Sequence, residues 1–125
     1  EMCIRDSSDT VCYNACKIAE QVDAKAVMTM THSGYNAFKI SSFRPPSKIC
    51  IFTHNRKIFN TLSLLWGVRG YYYNKFESTD DTITDIKNII KENKVVQSGD
   101  MVVNIASIPI TNKGMTNMLK LSIIE

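Results

Sequence analysis

The chain has 125 residues, 44% hydrophobic and 22% charged, which suffices for one ordinary globular domain with one core and is too short for two. Its net charge of +3 comes from 15 basic and 12 acidic residues spread along the chain, with no basic stripe interleaved with aromatic rings, so nucleic acid is not an expected partner. No apolar run approaches the ~18–20 residues that a membrane-spanning helix requires, so no membrane partner is expected either.

Glu1 to Ser7 joins no periodic pattern and carries neither the apolar stretch nor the cleavage site of a signal peptide. We read residues 1–8 as a lead-in, either a cut from a longer chain or a non-native scar, and 9–125 as the domain. Val11, Ala15, Ile18, Ala19 and Val22 then recur at the spacing of an amphipathic helix, with Ser8, Asp9 or Thr10 available to cap it. Asp23-Ala24-Lys25 is a short connection into a first strand over about 25–31.

The stretch Ala26 to Ala37 is the one most charged with chemical meaning. An apolar run, Ala26-Val27-Met28-Thr29-Met30, reads as a buried strand. It breaks at Thr31-His32-Ser33-Gly34 and resumes with Ala37, Phe38, Ile40 and Ser41 at helical spacing. Strand, tight turn and helix therefore meet at hydroxyls and a glycine. Open α/β sheets place ligands at such joins, where N–H groups of the helix start point outward, and a phosphate would fit. The plainer reading makes Ser33 the N-cap of the helix and nothing more.

That helix must stop before Arg44-Pro45-Pro46, because proline disfavours helical geometry in the residue before it. Lys48 to Thr53 is a second strand whose continuous apolar run suits burial on both faces. His54 lies where it turns into the next helix; a solvated loop histidine is the plain reading, a functional one the alternative. Ile58, Phe59, Leu62, Leu65 and Trp66 form the apolar stripe of that helix, with Asn55 as its cap and Gly67 as its C′ stop.

Val68 to Tyr73 reads as a short third strand, in which the tyrosines' β-propensity explains Tyr71, Tyr72 and Tyr73 more cheaply than a base-stacking platform does. Asp80 and Asp81 put negative charge at the start of a last helix, whose apolar face is Ile83, Ile86, Ile89 and Ile90. Gln97 to Asp100 is a turn, Met101 to Ala106 a fourth strand, 107–116 a loop, and Met118 to Ile124 a fifth strand. The four cysteines, Cys3, Cys12, Cys16 and Cys50, form no CxxC pair. With only His32 and His54 to help them, reduced and partly buried thiols of a cytosolic protein are the simpler reading than a zinc site.

The sum is a three-layer αβα fold around a five-stranded, mostly parallel sheet. The last strand, reached by a loop too short for a crossover helix, should run antiparallel at an edge, where a partner subunit could cover it.

These residues carry a resemblance. Asp23-Ala24-Lys25-Ala26-Val27, Thr31-His32-Ser33-Gly34, Phe43-Arg44-Pro45 and Leu65-Trp66-Gly67-Val68 resemble the C-terminal domain of pyruvate kinases. Ser98-Gly99-Asp100-Met101-Val102-Val103 and Gly114-Met115-Thr116-Asn117-Met118-Leu119-Lys120 continue it, in order, over about 9–124. The resemblance implies a parent enzyme of glycolysis, cytoplasmic and tetrameric, that moves phosphate from phosphoenolpyruvate to ADP with magnesium and potassium. The family's catalytic barrel lies upstream of the region represented here, and no nucleotide loop, metal-set carboxylate pair or activated nucleophile appears in this chain. The fragment itself is thus expected to be non-catalytic and to need no cofactor.

The resemblance further implies an effector site for a phosphorylated sugar or nucleotide on the turn of Thr31, His32, Ser33, Gly34 and Asn36. A loop matching about 108–116 would close over it, bringing Lys113 and Gly114. Bisphosphate-binding members usually carry a second hydroxyl where this chain has Asn36, and often a cation where it has His32 or Tyr35, so a monophosphate effector or none is open. Two other readings stand beside the regulatory and oligomerisation domain: a free-standing phosphometabolite-binding module, and a purely structural assembly domain.

Overall fold

The structure, a computed structural model, describes residues 4–31, 34–74, 79–106 and 118–125. Four helices, α1 (Ile4–Gln21), α2 (Tyr35–Phe43), α3 (Arg56–Leu62) and α4 (Thr79–Glu92), alternate with strands β1 (Ala26–Met30), β2 (Lys48–Thr53), β3 (Val68–Tyr72) and β4 (Met101–Ala106), and β5 (Met118–Ile123) follows. The strands form one sheet in the order β3-β2-β1-β4-β5. β1 pairs in parallel with β2 and β4, β2 in parallel with β3, and β5 runs antiparallel to β4 at the edge. The expected three-layer architecture and its antiparallel last strand are both present.

Period-two alternation sorts the strand residues into two cores. Val27, Ile49, Ile51, Val103 and Ile105 face α1, α2 and α3, where Ala15, Ala19, Ile40 and Leu62 meet them. On α1 the buried residues are small (Cys12, Ala15, Cys16 and Ala19), so that helix can approach the sheet closely. Met28, Cys50, Phe52 and Val102 face the other way, onto Ile86 and Ile90 of α4. Each large apolar side chain so buried contributes roughly 1.5–3 kcal/mol.

Several local expectations need correction. The first helix begins at Ile4, so Ser8, Asp9 and Thr10 lie inside it rather than capping it. Nothing in Ile4 to Ser8 breaks a helix, and Asp9 has another use: its carboxylate accepts from the Tyr35 hydroxyl at 2.5 Å and pairs with Lys39 at 3.5 Å, tying α1 to α2. Val22 falls past the end of α1 and is 38% exposed. Phe38 is 57% exposed while Ala37, Ile40 and Ser41 carry the buried face of α2.

The third helix is shorter than its stripe suggested. It ends at Leu62 with Ser63 as C-cap, so Leu65, Trp66 and Gly67 lie outside it. Leu64 N–H and Leu65 N–H donate to the carbonyls of Thr61 and Leu62, bonds that reach back three residues and tighten the chain. The Ser41 hydroxyl on α2 donates to the Trp66 carbonyl at 2.8 Å and fixes this turn, leaving the Trp66 side chain 48% exposed. β3 then passes so close to α3 that a Cβ on Gly70 would stand 3.0 Å from Leu62 Cδ1.

The three tyrosines form no common platform. Tyr71 stacks on Phe52 with centroids 5.0 Å apart, and Tyr73 donates its hydroxyl to Asp85 at 3.0 Å. Tyr72 lies between them in the chain and instead meets Phe59 and Arg56 of α3. Cys12, Cys16 and Cys50 are buried free thiols, and Cys3 lies outside the described residues.

Candidate functional site

The chain leaves β1 through α2 on one face of the sheet, whereas α4 leads into β4 from the other face. The carboxyl ends of β1 and β4 therefore flank the point where the winding reverses, the place where open α/β sheets bind ligands. The turn after Met30 opens there.

Thr31 is buried, and its N–H donates to the Phe52 carbonyl at 2.9 Å, prolonging the pairing of β1 with β2 by one residue. Its hydroxyl accepts the Gly34 N–H at 2.9 Å and so closes the turn from within. Gly34, not Ser33, occupies the N-cap position of α2, at φ +86° and ψ −4°, with no side-chain cap hydrogen bond. The Gly34 carbonyl accepts the first helical bond, from Phe38 N–H at 3.0 Å. A left-handed cap is open to glycine at no steric cost. Having no side chain, it leaves the positive end of the helix dipole facing the turn with no capping oxygen of its own.

The neighbouring junction shows what a closed version looks like. At the end of β2, the Asn55 side chain accepts from the N–H groups of Lys57 at 3.0 Å and Ile58 at 3.4 Å, while the Thr53 hydroxyl accepts from Asn55 N–H at 3.1 Å. Asn55 is the cap expected of it. The two junctions touch: a Cβ on Gly34 would lie 3.5 Å from Ile58 Cγ2. His54 is half-buried on the same rim.

Of the expected site residues, the structure brings Thr31, Gly34 and Asn36 together at one turn, with Asn36 half-buried in the first turn of α2. His32, Ser33, Lys113 and Gly114 lie outside the described residues. The cations on nearby elements have other partners: Lys39 pairs with Asp9, and the Arg56 guanidinium lies 4.0 Å from the centroid of the Tyr72 ring. The Tyr35 hydroxyl donates to Asp9. Among the described residues no group of three His, Cys, Asp or Glu side chains could hold a metal ion. No described helix is long and apolar enough to cross a membrane.

Comparison with known proteins agrees with this architecture. The family model described as pyruvate kinase, alpha/beta domain, matches residues 9–122. The pyruvate kinase of Clostridium acetobutylicum is 34% identical over 121 residues, which cover 97% of this chain and 26% of that enzyme. That of Lactobacillus delbrueckii subsp. bulgaricus is 34% identical over 108 residues, covering 86% of this chain and 18% of the relative. A crystal structure of a pyruvate kinase from Cryptosporidium parvum superposes with a TM-score of 0.85 at 22% identity, over 100% of this chain and 23% of that one, which establishes the shared fold. The chain thus spans about a quarter or less of the length of these relatives, and it belongs to the pyruvate kinase alpha/beta domain family.

Proposed function

We propose that this chain is the regulatory and oligomerisation domain of a cytoplasmic pyruvate kinase, itself non-catalytic, and that it binds a phosphorylated effector at the turn between β1 and α2. One observation supports the reading above others: a glycine-capped helix start at the winding reversal of the sheet, beside a sister junction that caps itself. Phosphate oxygens are suited to the place that a capping side chain would otherwise fill. Ser33 and Asn36 supply further donors in this reading, His32 and Lys113 the charge, and Thr31 and Gly114 shape the turn and the loop over it. Each charge-assisted hydrogen bond to the phosphate would contribute roughly 1.5–3 kcal/mol. The effector is a phosphorylated sugar or nucleotide.

Transfer of phosphate from phosphoenolpyruvate to ADP, with its magnesium and potassium, belongs in this reading to an upstream catalytic domain of the parent enzyme. A second role is favoured by the sheet edge. Leu121 and Ile123 on β5 are 42% and 56% exposed, and such an edge strand invites pairing unless a partner covers it. A second subunit, within a tetramer of the parent, fits that edge. A purely structural assembly domain would use this edge alone, and a free-standing module would use the turn alone.

A thermal-shift titration separates these readings. The panel is fructose 1,6-bisphosphate, glucose 6-phosphate, ribose 5-phosphate and AMP, with inorganic phosphate as control. Ligand at ~100 times its Kd adds about 2.7 kcal/mol of stability, several degrees in a domain this size. A rise with one compound that disappears in Ser33→Ala supports the effector site. No rise with any of them leaves the domain an assembly element.

A further inference from the structure

Away from the strand ends, the second half of α1 and the exit of α2 enclose a recess of about 130 Å³. Its walls are the rings of Tyr13 and Phe43, which meet edge-to-face with centroids 5.5 Å apart, together with Pro45 and Pro46. The Cys16 thiol also lines it, and burial pushes that thiol up to about 11, so this part of the lining is uncharged at neutral pH. The size is close to the ~150 Å³ cavity that accepts a benzene ring.

Lys17, Glu20 and Arg44 complete the lining. The Lys17 ammonium stands 5.6 Å from the Tyr13 centroid and the Arg44 guanidinium 5.1 Å from that of Trp66. Neither cation has an ion pair among the described residues. Arg44 also holds a left-handed backbone, φ +49°, which is unfavourable for a residue with a side chain. The fold thus keeps a strained arginine in the lining of an aromatic recess.

We propose that this recess binds small aromatic monocarboxylates, the ring seated against the Tyr13–Phe43 pair and the prolines and the carboxylate held by Lys17 and Arg44. The apolar walls offer a phosphate nothing. Glu20 opposes a second negative charge, so the lining selects one anionic group rather than two. Guanidinium geometry suits a carboxylate, to which it can donate two parallel bonds.

Phenylacetate is the probe, its neutral isostere phenylacetamide and inorganic phosphate the controls, and the readout is backbone amide shifts of the whole chain in 1H–15N NMR. Phenylacetate should give saturable shifts at residues 13–20, Phe43 and Arg44, with phenylacetamide at least about fivefold weaker and phosphate silent there. The charge sign provides the sharper test. Lys17→Gln should weaken phenylacetate by roughly three- to fivefold, and Glu20→Gln should tighten it by a similar factor. Both side chains are at the surface, so the fold survives either change. Equal binding of acid and amide, no tightening in Glu20→Gln, or no saturable shifts at these residues would overturn the proposal.

Discussion

Two strand-to-helix junctions sit side by side on the same rim of the sheet, and they solve the same problem in opposite ways. At β2–α3, Asn55 supplies a side-chain oxygen to two N–H groups of the first helical turn, and the Thr53 hydroxyl holds the Asn55 backbone. At β1–α2, a hydroxyl again folds back, from Thr31 to Gly34 N–H, but the cap is a left-handed glycine with no oxygen to give. The first junction is chemically complete. The second takes no side-chain cap from Gly34, and it stands where the winding of the sheet reverses. The two junctions therefore differ in what stands at the cap position and in their place in the strand order.

Both junctions stand on the two cores that cover the sheet, so the comparison fails most completely if that packing is lost, and alkali attacks both cores directly. Burial pushes the Cys12 thiol up to about 12, with the neighbouring Cys16 and Asp9 adding to the shift, and pushes Cys16 and Cys50 up to about 11. In the unfolded chain these thiols ionise near their ordinary ~8.5. Above that pH the unfolded state sheds protons that the folded state keeps, so stability is intact below about 8.5 and falls as pH rises toward 11 or 12. At ~1.4 kcal/mol per unit of mismatch the loss by pH 11 is several kcal/mol. Urea midpoints at pH 7.5 and 10.5 should differ strongly, and less so in Cys50→Ala. Equal midpoints in the unmodified chain would contradict this account of its thiols.

Next in size is the cost of putting a side chain on the open cap. A Cβ at Gly34 meets only ordinary contact with Ile58, at 3.5 Å, so the penalty comes from φ +86° alone. Gly34→Val should cost about 2 kcal/mol in urea unfolding, with Gly34→Asn recovering most of it because asparagine tolerates the left-handed region. Were Gly34→Asn as damaging as valine, steric crowding rather than backbone conformation would rule this turn. The closed junction should yield about half as much: Asn55→Ala removes the acceptor of two N–H groups for about 1 kcal/mol. Any phosphate-dependent thermal shift should remain as it was in the unmodified chain, since Asn55 belongs to the other helix.

How far these features were legible in the sequence follows from how local their causes are. The Lys48–Thr53 run declared a doubly covered strand, and Ile83, Ile86 and Ile90 declared one helix face, because each pattern is read within a single element. Asn55 was legible as a cap for the same reason. Asp9 was not, because its partners, Tyr35 and Lys39, lie on the next helix and convert a plausible cap into a bridge. The turn after α3 is held by a hydroxyl of α2, at Ser41, and the need for glycine at 70 depends on Leu62 across the layer. The candidate turn itself was visible as Thr-x-x-Gly after an apolar run. Which of its residues takes the cap position was not, since serine is the commoner choice and only the left-handed φ at Gly34 decides it.

The smallest expected effect bears most directly on whether the proposed phosphate site rests on the glycine cap or on the topology around it. Asn55→Gly makes the β2–α3 junction resemble its neighbour, a glycine cap without an oxygen, and should cost only a few tenths of a kcal/mol because glycine is itself a tolerated cap. If an uncapped helix start were sufficient, this variant would gain a second phosphate-dependent stabilisation. We expect none. α3 has seven residues, so its dipole is short, and β2 lies between two parallel neighbours on the side of the sheet where the winding does not reverse. A phosphate titration of Asn55→Gly that matches the unmodified chain would therefore assign the site to the topology around β1. A new, saturable shift in the variant would assign it to the missing cap alone, and every glycine-started helix on this rim would then have to be counted as a site.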